Sequence, residues 1–112
     1  MNIIAQSGEL TRKESYNLME DPNQSKMSDH VGEVLEMKAW ILYENTNKDG
    51  QDQKVLSIME ESGLVSSTIS PTFIKSFENI LDFMKGSDEE WTIQVLGGTS
   101  KNGREYITCK LV

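Results

Sequence analysis

Ser70-Pro71-Thr72-Phe73-Ile74-Lys75-Ser76-Phe77-Glu78-Asn79-Ile80-Leu81-Asp82-Phe83-Met84-Lys85-Gly86 decides the fold, because this stretch marks both ends of one helix and the face it buries. A serine at the N-cap offers its hydroxyl to the unpaired N–H groups of the first turn. Pro71 fits the first helical position, where its missing N–H costs nothing. Phe73, Ile74, Phe77, Ile80, Leu81 and Met84 then recur at spacings of three and four, which places them on one apolar stripe. Lys85 puts a cation in the last turn, and Gly86 supplies the stop.

On both sides of this helix the period shortens to two, the signature of strands. Upstream, Val34 to Tyr43 alternates, with Leu35, Met37, Ala39, Ile41 and Tyr43 on one face. Val34, Glu36, Lys38, Trp40 and Leu42 occupy the other. The segment Asn45 to Gly50 turns the chain, its Asp49-Gly50 pair being the strongest local signal. A second strand covers Lys54 to Met59, a second turn Glu60 to Gly63, and a short third strand Leu64 to Ile69. Downstream, Trp91 to Val95 alternates, Gly97 to Gly103 reads as a loop, and Arg104 to Val112 alternates again. On that last strand Ile107, Cys109 and Leu111 point one way, and Arg104, Tyr106, Thr108 and Lys110 the other.

Three strands, a helix and two strands is the element order of the OB-fold. The expected architecture is therefore mainly β: a five-stranded barrel over residues 31–112, with the helix between strands three and four. A mixed α+β sandwich shares this order. Residues 1–30 read as a polar N-terminal extension. Within it Thr11-Arg12-Lys13-Glu14 is a capping box that predicts a short helix to about Met19, closed by Asp21-Pro22-Asn23. Ile3-Ile4-Ala5 is the one candidate strand there.

A chain of 112 residues with 37% hydrophobic content suits one domain. Its single cysteine, Cys109, excludes an internal disulfide framework and fits a reducing compartment. The start MNIIAQSGEL lacks the basic region and apolar run of a secretory leader. No apolar run approaches the roughly 20 residues that span a bilayer. A soluble, cytoplasmic protein without membrane contact is expected.

The net charge of −7 opposes phosphate binding at first sight. Its distribution does not. Lys plus Arg against Asp plus Glu is 3 to 5 over residues 1–30, 3 to 7 over 31–69, and 2 to 5 over 70–90. Over residues 91–112 it is 3 to 1, the one net-positive segment. Screening over roughly 8–10 Å lets such a strip act against an acidic background.

Catalytic and metal signatures are nearly absent. His30 is the sole histidine and sits in a polar run, where a solvated loop residue is expected. Cys109 falls on the apolar face of its strand and reads as a small buried hydrophobe. Asp49-Gly50-Gln51-Asp52 lacks the spacing and terminal Glu of a calcium loop. Gly97-Gly98-Thr99-Ser100-Lys101-Asn102-Gly103 lacks the order of a P-loop and precedes a strand rather than a helix. No cofactor is expected and no enzyme.

The constellation that carries chemistry lies on strands. Arg104, Tyr106 and Lys110 share one face of the last strand, Lys38 and Trp40 share one face of the first, and Lys101 sits on the loop between the last two. If the first and last strands lie close together, Trp40 and Tyr106 form a stacking floor edged by cations, the way single strands are held. Outward Arg, Lys and Thr are otherwise ordinary solvated residues, and Trp40 has the alternative of packing under the N-terminal segment.

Gly32, Asp49-Gly50, Ser66 through Thr72 (SSTISPT) and above all Val95-Leu96-Gly97-Gly98-Thr99-Ser100-Lys101-Asn102-Gly103-Arg104-Glu105-Tyr106 carry a family likeness. Over about residues 31–112 the chain resembles the small single-stranded DNA-binding proteins of phages and mobile elements of Gram-positive bacteria. The resemblance implies sequence-tolerant binding that coats and protects replication intermediates in the cytoplasm of a bacterial host, and it extends to Lys101, Arg104 and Tyr106. Bacterial single-strand binders usually end in an acidic tail that recruits partners, whereas this chain ends on Leu111-Val112, so recruitment of that kind is not expected. Self-association and contact with a host or phage replication protein stay open. The competing reading is an acidic protein-interaction module that occupies the basic groove of a host nucleic-acid-binding protein.

Overall fold

The computed structural model describes residues 2–112. Its strands are β1 (Asn2–Gln6), β2 (Ser25–Lys26), β3 (Val34–Leu35), β4 (Met37–Thr46), β5 (Asp52–Glu60), β6 (Val65–Thr68), β7 (Ile93–Thr99) and β8 (Glu105–Leu111). Helix α1 (Arg12–Met19) and a 3-10 turn at Met27–His30 flank β2, and helix α2 (Pro71–Met84) lies between β6 and β7.

Helix α2 forms where its cap and stripe place it. The Ser70 hydroxyl accepts the Phe73 N–H at 3.3 Å, and Pro71 opens the first turn. Phe73, Ile74 and Phe77 are buried, with Ile80 and Leu81 packed at the margin of the same core. Each fully buried Phe contributes roughly 1.5–3 kcal/mol of transfer free energy.

Strands β4, β5 and β6 with α2, β7 and β8 reproduce the expected order of three strands, helix and two strands. The expected five-stranded barrel is not what they build. Among the described residues the strands make two sheets, a five-stranded one ordered β1-β4-β5-β6-β2 and a three-stranded one ordered β3-β7-β8, and these are not closed into a barrel. The cause is the region read as one long strand. Its first residues, Val34 and Leu35, pair with Gln94 and Ile93, while Met37 onward pairs with β5. The chain thus changes sheets at Glu36, a corner of the kind seen between packed sheets.

An irregularity follows at once. Register shifts between Met37 and Ala39, so Lys38 is an extra residue on β4. Because side chains alternate, one extra residue reverses the faces that follow. Leu35 and Met37 therefore belong to the main core under α2, together with Leu42, Leu56, Ile58, Ile93 and Val95. Ala39, Ile41 and Tyr43 belong to a second core on the opposite face, with Val55, Met59, Val65 and Leu18 of α1. The five-stranded sheet is covered on both sides.

Residues 2–30, expected to form a polar extension, supply part of that cover. The capping box forms as read: the Thr11 hydroxyl accepts the Glu14 N–H at 3.1 Å, and the Glu14 carboxylate accepts the Thr11 N–H at 3.0 Å. That backbone hydrogen bond, more than any other cause, holds the Glu14 carboxyl below its ordinary pKa. Strand β1 pairs antiparallel with β4, and Met27 is fully buried in the main core.

Strand β7 runs to Thr99 rather than stopping at Val95, so Gly97 and Gly98 are strand positions opposite Ile107 and Tyr106. Glycine inside a strand often marks the close approach of another group. Here Val31 approaches Gly97 and the Tyr106 ring approaches Gly98.

Candidate nucleic-acid interface

The turn joining β7 to β8 is built by Ser100. Its N–H donates to the Arg104 carbonyl at 2.8 Å, and its hydroxyl accepts the Arg104 N–H at 3.2 Å. Gly103 sits at φ +77, a conformation few other residues adopt. This clamp holds Lys101 and Arg104 exposed at the tip of the hairpin, and neither is held in an ion pair among the described residues.

Behind the tip lies Tyr106, 41% exposed. Its ring is packed against the backbone of Gly98, the residue directly opposite: a Cβ at position 98 would stand 2.5 Å from Tyr106 Cζ and 2.6 Å from Oη. The ring borders a groove of about 570 Å³ whose lining includes Val31, Gly97, Gly98, Thr99 and Glu105. Lys110 lies four residues further along β8, exposed and on the Tyr106 side of the alternation, about 13 Å away at the usual strand rise. Thr108, between them, is engaged by α2 through a hydrogen bond between its hydroxyl and that of Ser76.

One wall of the groove is fixed by His30, which is not the solvated loop residue expected. Its side chain is 12% exposed, with Nε2 at 2.8 Å from Ser25 Oγ and Nδ1 at 3.0 Å from Glu33 Oε2. Main-chain bonds then pin the following residues to β7: Gly32 N–H to the Val95 carbonyl at 2.7 Å and Val95 N–H to the Glu33 carbonyl at 3.0 Å. Val31, held between these points, is 49% exposed on the groove. Ser25, His30 and Glu33 stand in the hydrogen-bond order of a hydrolytic triad. Here Ser25 Oγ also donates to the Val65 carbonyl at 3.4 Å, within the β2–β6 pairing. The trio ties the turn to the sheet.

Lys38 and Trp40 do not join this site. Trp40 is half-buried and packs edge-on against Phe77 of α2, ring centroids 5.3 Å apart, and the Trp91 ring also lies against Phe77, at 5.9 Å. Its exposed edge and Lys38 line a separate groove of about 210 Å³ that also carries Glu89 and Glu90. No residue lines both grooves. The expected shared floor of Trp40 and Tyr106 is thus not formed, because β4 belongs to the five-stranded sheet while β8 pairs with β7 in the three-stranded one. The structure brings together Lys101, Arg104 and Tyr106 at one end of the β7–β8 hairpin, with Lys110 further along.

Val31, Gly98 and Glu105 line the groove but are not among the site residues expected from the sequence. The usable signal was two glycines in an alternating segment opposite an aromatic, a pairing in which the ring covers the bare backbone.

Cys109 is buried, and burial pushes its thiol up to about 12. Burial also raises the Glu60 carboxyl, against the pull of His30 and with Glu33 and Glu36 adding to the rise. Among the described residues no cluster of His, Cys, Asp and Glu is placed to hold a metal ion, and no helix is long and apolar enough to cross a membrane.

Comparison with known proteins gives one family. A family model for Phi29-type proteins, described as Phage Single-stranded DNA-binding protein, matches residues 7–112. Neither the curated proteins nor the solved structures give a match.

Proposed function

We propose, for a chain that belongs to the Phi29-type phage single-stranded DNA-binding protein family, that it coats single-stranded replication intermediates in the bacterial cytoplasm and protects them. In this reading a base stacks on Tyr106 in the groove while neighbouring phosphates follow Lys101, Arg104 and Lys110. The observation that carries it is an exposed ring, backed by Gly98, directly behind a turn that presents two cations. Stacking is sequence-tolerant because every base has a π-face, and each stacked base contributes about 1–3 kcal/mol. The element order from β4 to β8 supports an opened relative of the OB-type domain, an architecture that binds oligonucleotides.

Tyr106→Ala is expected to weaken binding to an oligo-dT roughly 5- to 150-fold while changing duplex binding far less. Equal affinity of variant and wild type for oligo-dT would remove the ring from the interface.

A second reading, an acidic interaction module, draws on Glu89 and Glu90 beside Trp40 and Trp91. It requires that a defined basic partner protein binds after nuclease treatment and that Glu89→Lys abolishes that binding.

A further inference from the structure

We propose that Gly98 is a positioning residue of the DNA groove: its missing side chain sets the angle at which the Tyr106 ring meets a base. The proposal rests on the stacking role of Tyr106 given above. Glycine is usually retained where the backbone needs a positive φ, and six glycines here do so. Gly98 is not among them. It lies inside β7, paired with Tyr106 in the antiparallel register, and its backbone is of a kind that any residue can adopt. What excludes a side chain is the ring. A Cβ would fall 2.5 Å from Cζ and 2.6 Å from Oη, both inside the closest approach that real side chains show, and a tight 3.0 Å from Cε1.

The atoms that clash belong to the tip of the phenol, the end of a side chain free to turn about two torsions. An alanine at 98 is therefore accommodated by swinging the ring away from the strand, with the β7–β8 ladder intact. Turning the ring away withdraws the surface on which a base would lie. A methyl group added to the opposite strand thus reaches the ligand through Tyr106. Without DNA, the same substitution leaves folding unharmed or improves it, since alanine leaves the unfolded chain fewer conformations than glycine.

The test is a double-mutant cycle on the full chain, using oligo-dT affinity and the thermal midpoint of wild type, Gly98→Ala, Tyr106→Ala and the double variant. The expected result is a loss of ~5-fold or more for Gly98→Ala, a double variant no weaker than Tyr106→Ala alone, and a midpoint for Gly98→Ala at or above wild type. Wild-type affinity in Gly98→Ala beside a weakened Tyr106→Ala overturns the positioning role and leaves the stacking role standing. Unchanged affinity in Tyr106→Ala removes both. Additive losses in the double variant, or a Gly98→Ala chain that does not fold, also overturn the proposal, because the glycine then acts independently of the ring.

Discussion

Lys38 shows how much one residue can move. As the extra residue of a bulge it places Leu35 and Met37 on the same side as Trp40 and Leu42, although strict alternation separates them. A simple two-residue count therefore leaves Trp40 on a solvent face, where it would have been free to stack on a base. In the folded chain it meets Phe77 instead. Cys109 gives the opposite case, a residue whose place the alternation predicts well. Buried on the inward face of β8, its thiol is pushed up to about 12 and stays protonated at neutral pH. Since the thiolate is the reactive form, a thiol reagent at pH 8 should leave the native chain unmodified and label it fully in denaturant. Rapid stoichiometric labelling of the native protein would show that Cys109 is accessible.

At the scale of elements, α2 was legible except at its close: the helix ends at Met84, and Lys85, expected as a cation in the last turn, is the extended C-cap residue. Cap, proline, stripe and stop all fall within residues 70–86 and need no tertiary context. Phe77 is the centre of that stripe, and both Trp40 and Trp91 pack against its ring. Phe77→Ala should cost about 3–5 kcal/mol of stability, read as a lower denaturant midpoint together with loss of the tryptophan near-ultraviolet signal. A cost under about 1 kcal/mol would mean the aromatic cluster is loosely packed. Strand β2 was not legible, because two residues carry no periodicity and its partner lies far along the chain, and Val34 and Leu35 of β3 were read as the start of β4 rather than as partners of β7. The end of β7 was misread for a different reason. Gly97 and Gly98 look like loop residues, and only the approach of Val31 and Tyr106 explains why a strand uses them. The site was legible in its charges and its tyrosine, but the groove wall was not. Val31 reaches it through main-chain bonds at Gly32 and Glu33, which leave no mark in the sequence.

Across the whole molecule, charge is divided between regions. Lys101, Arg104 and Lys110 lie on the β7–β8 hairpin, whereas Glu89 and Glu90 precede it and line the groove beside Trp40. An acidic chain can thus attract phosphate along one strip and repel it elsewhere, within the short reach of screened charge. If three cations follow the phosphates of a single strand, the logarithm of affinity should fall with the logarithm of salt at a slope of about −2. Lys101→Ala with Arg104→Ala should flatten that slope by about 1.4, while Lys38→Ala leaves it unchanged. An equal flattening by Lys38→Ala would place the strand along β4 instead.

The most direct measurement is a map of backbone amide shifts as oligo-dT is added to the labelled protein at low salt. The changes should concentrate at Val31, Gly97, Gly98, Lys101, Arg104 and Tyr106, leaving Lys38, Trp40 and Trp91 close to their free positions. Shifts gathered at Lys38, Trp40 and Trp91, with the β7–β8 hairpin undisturbed, would contradict the account.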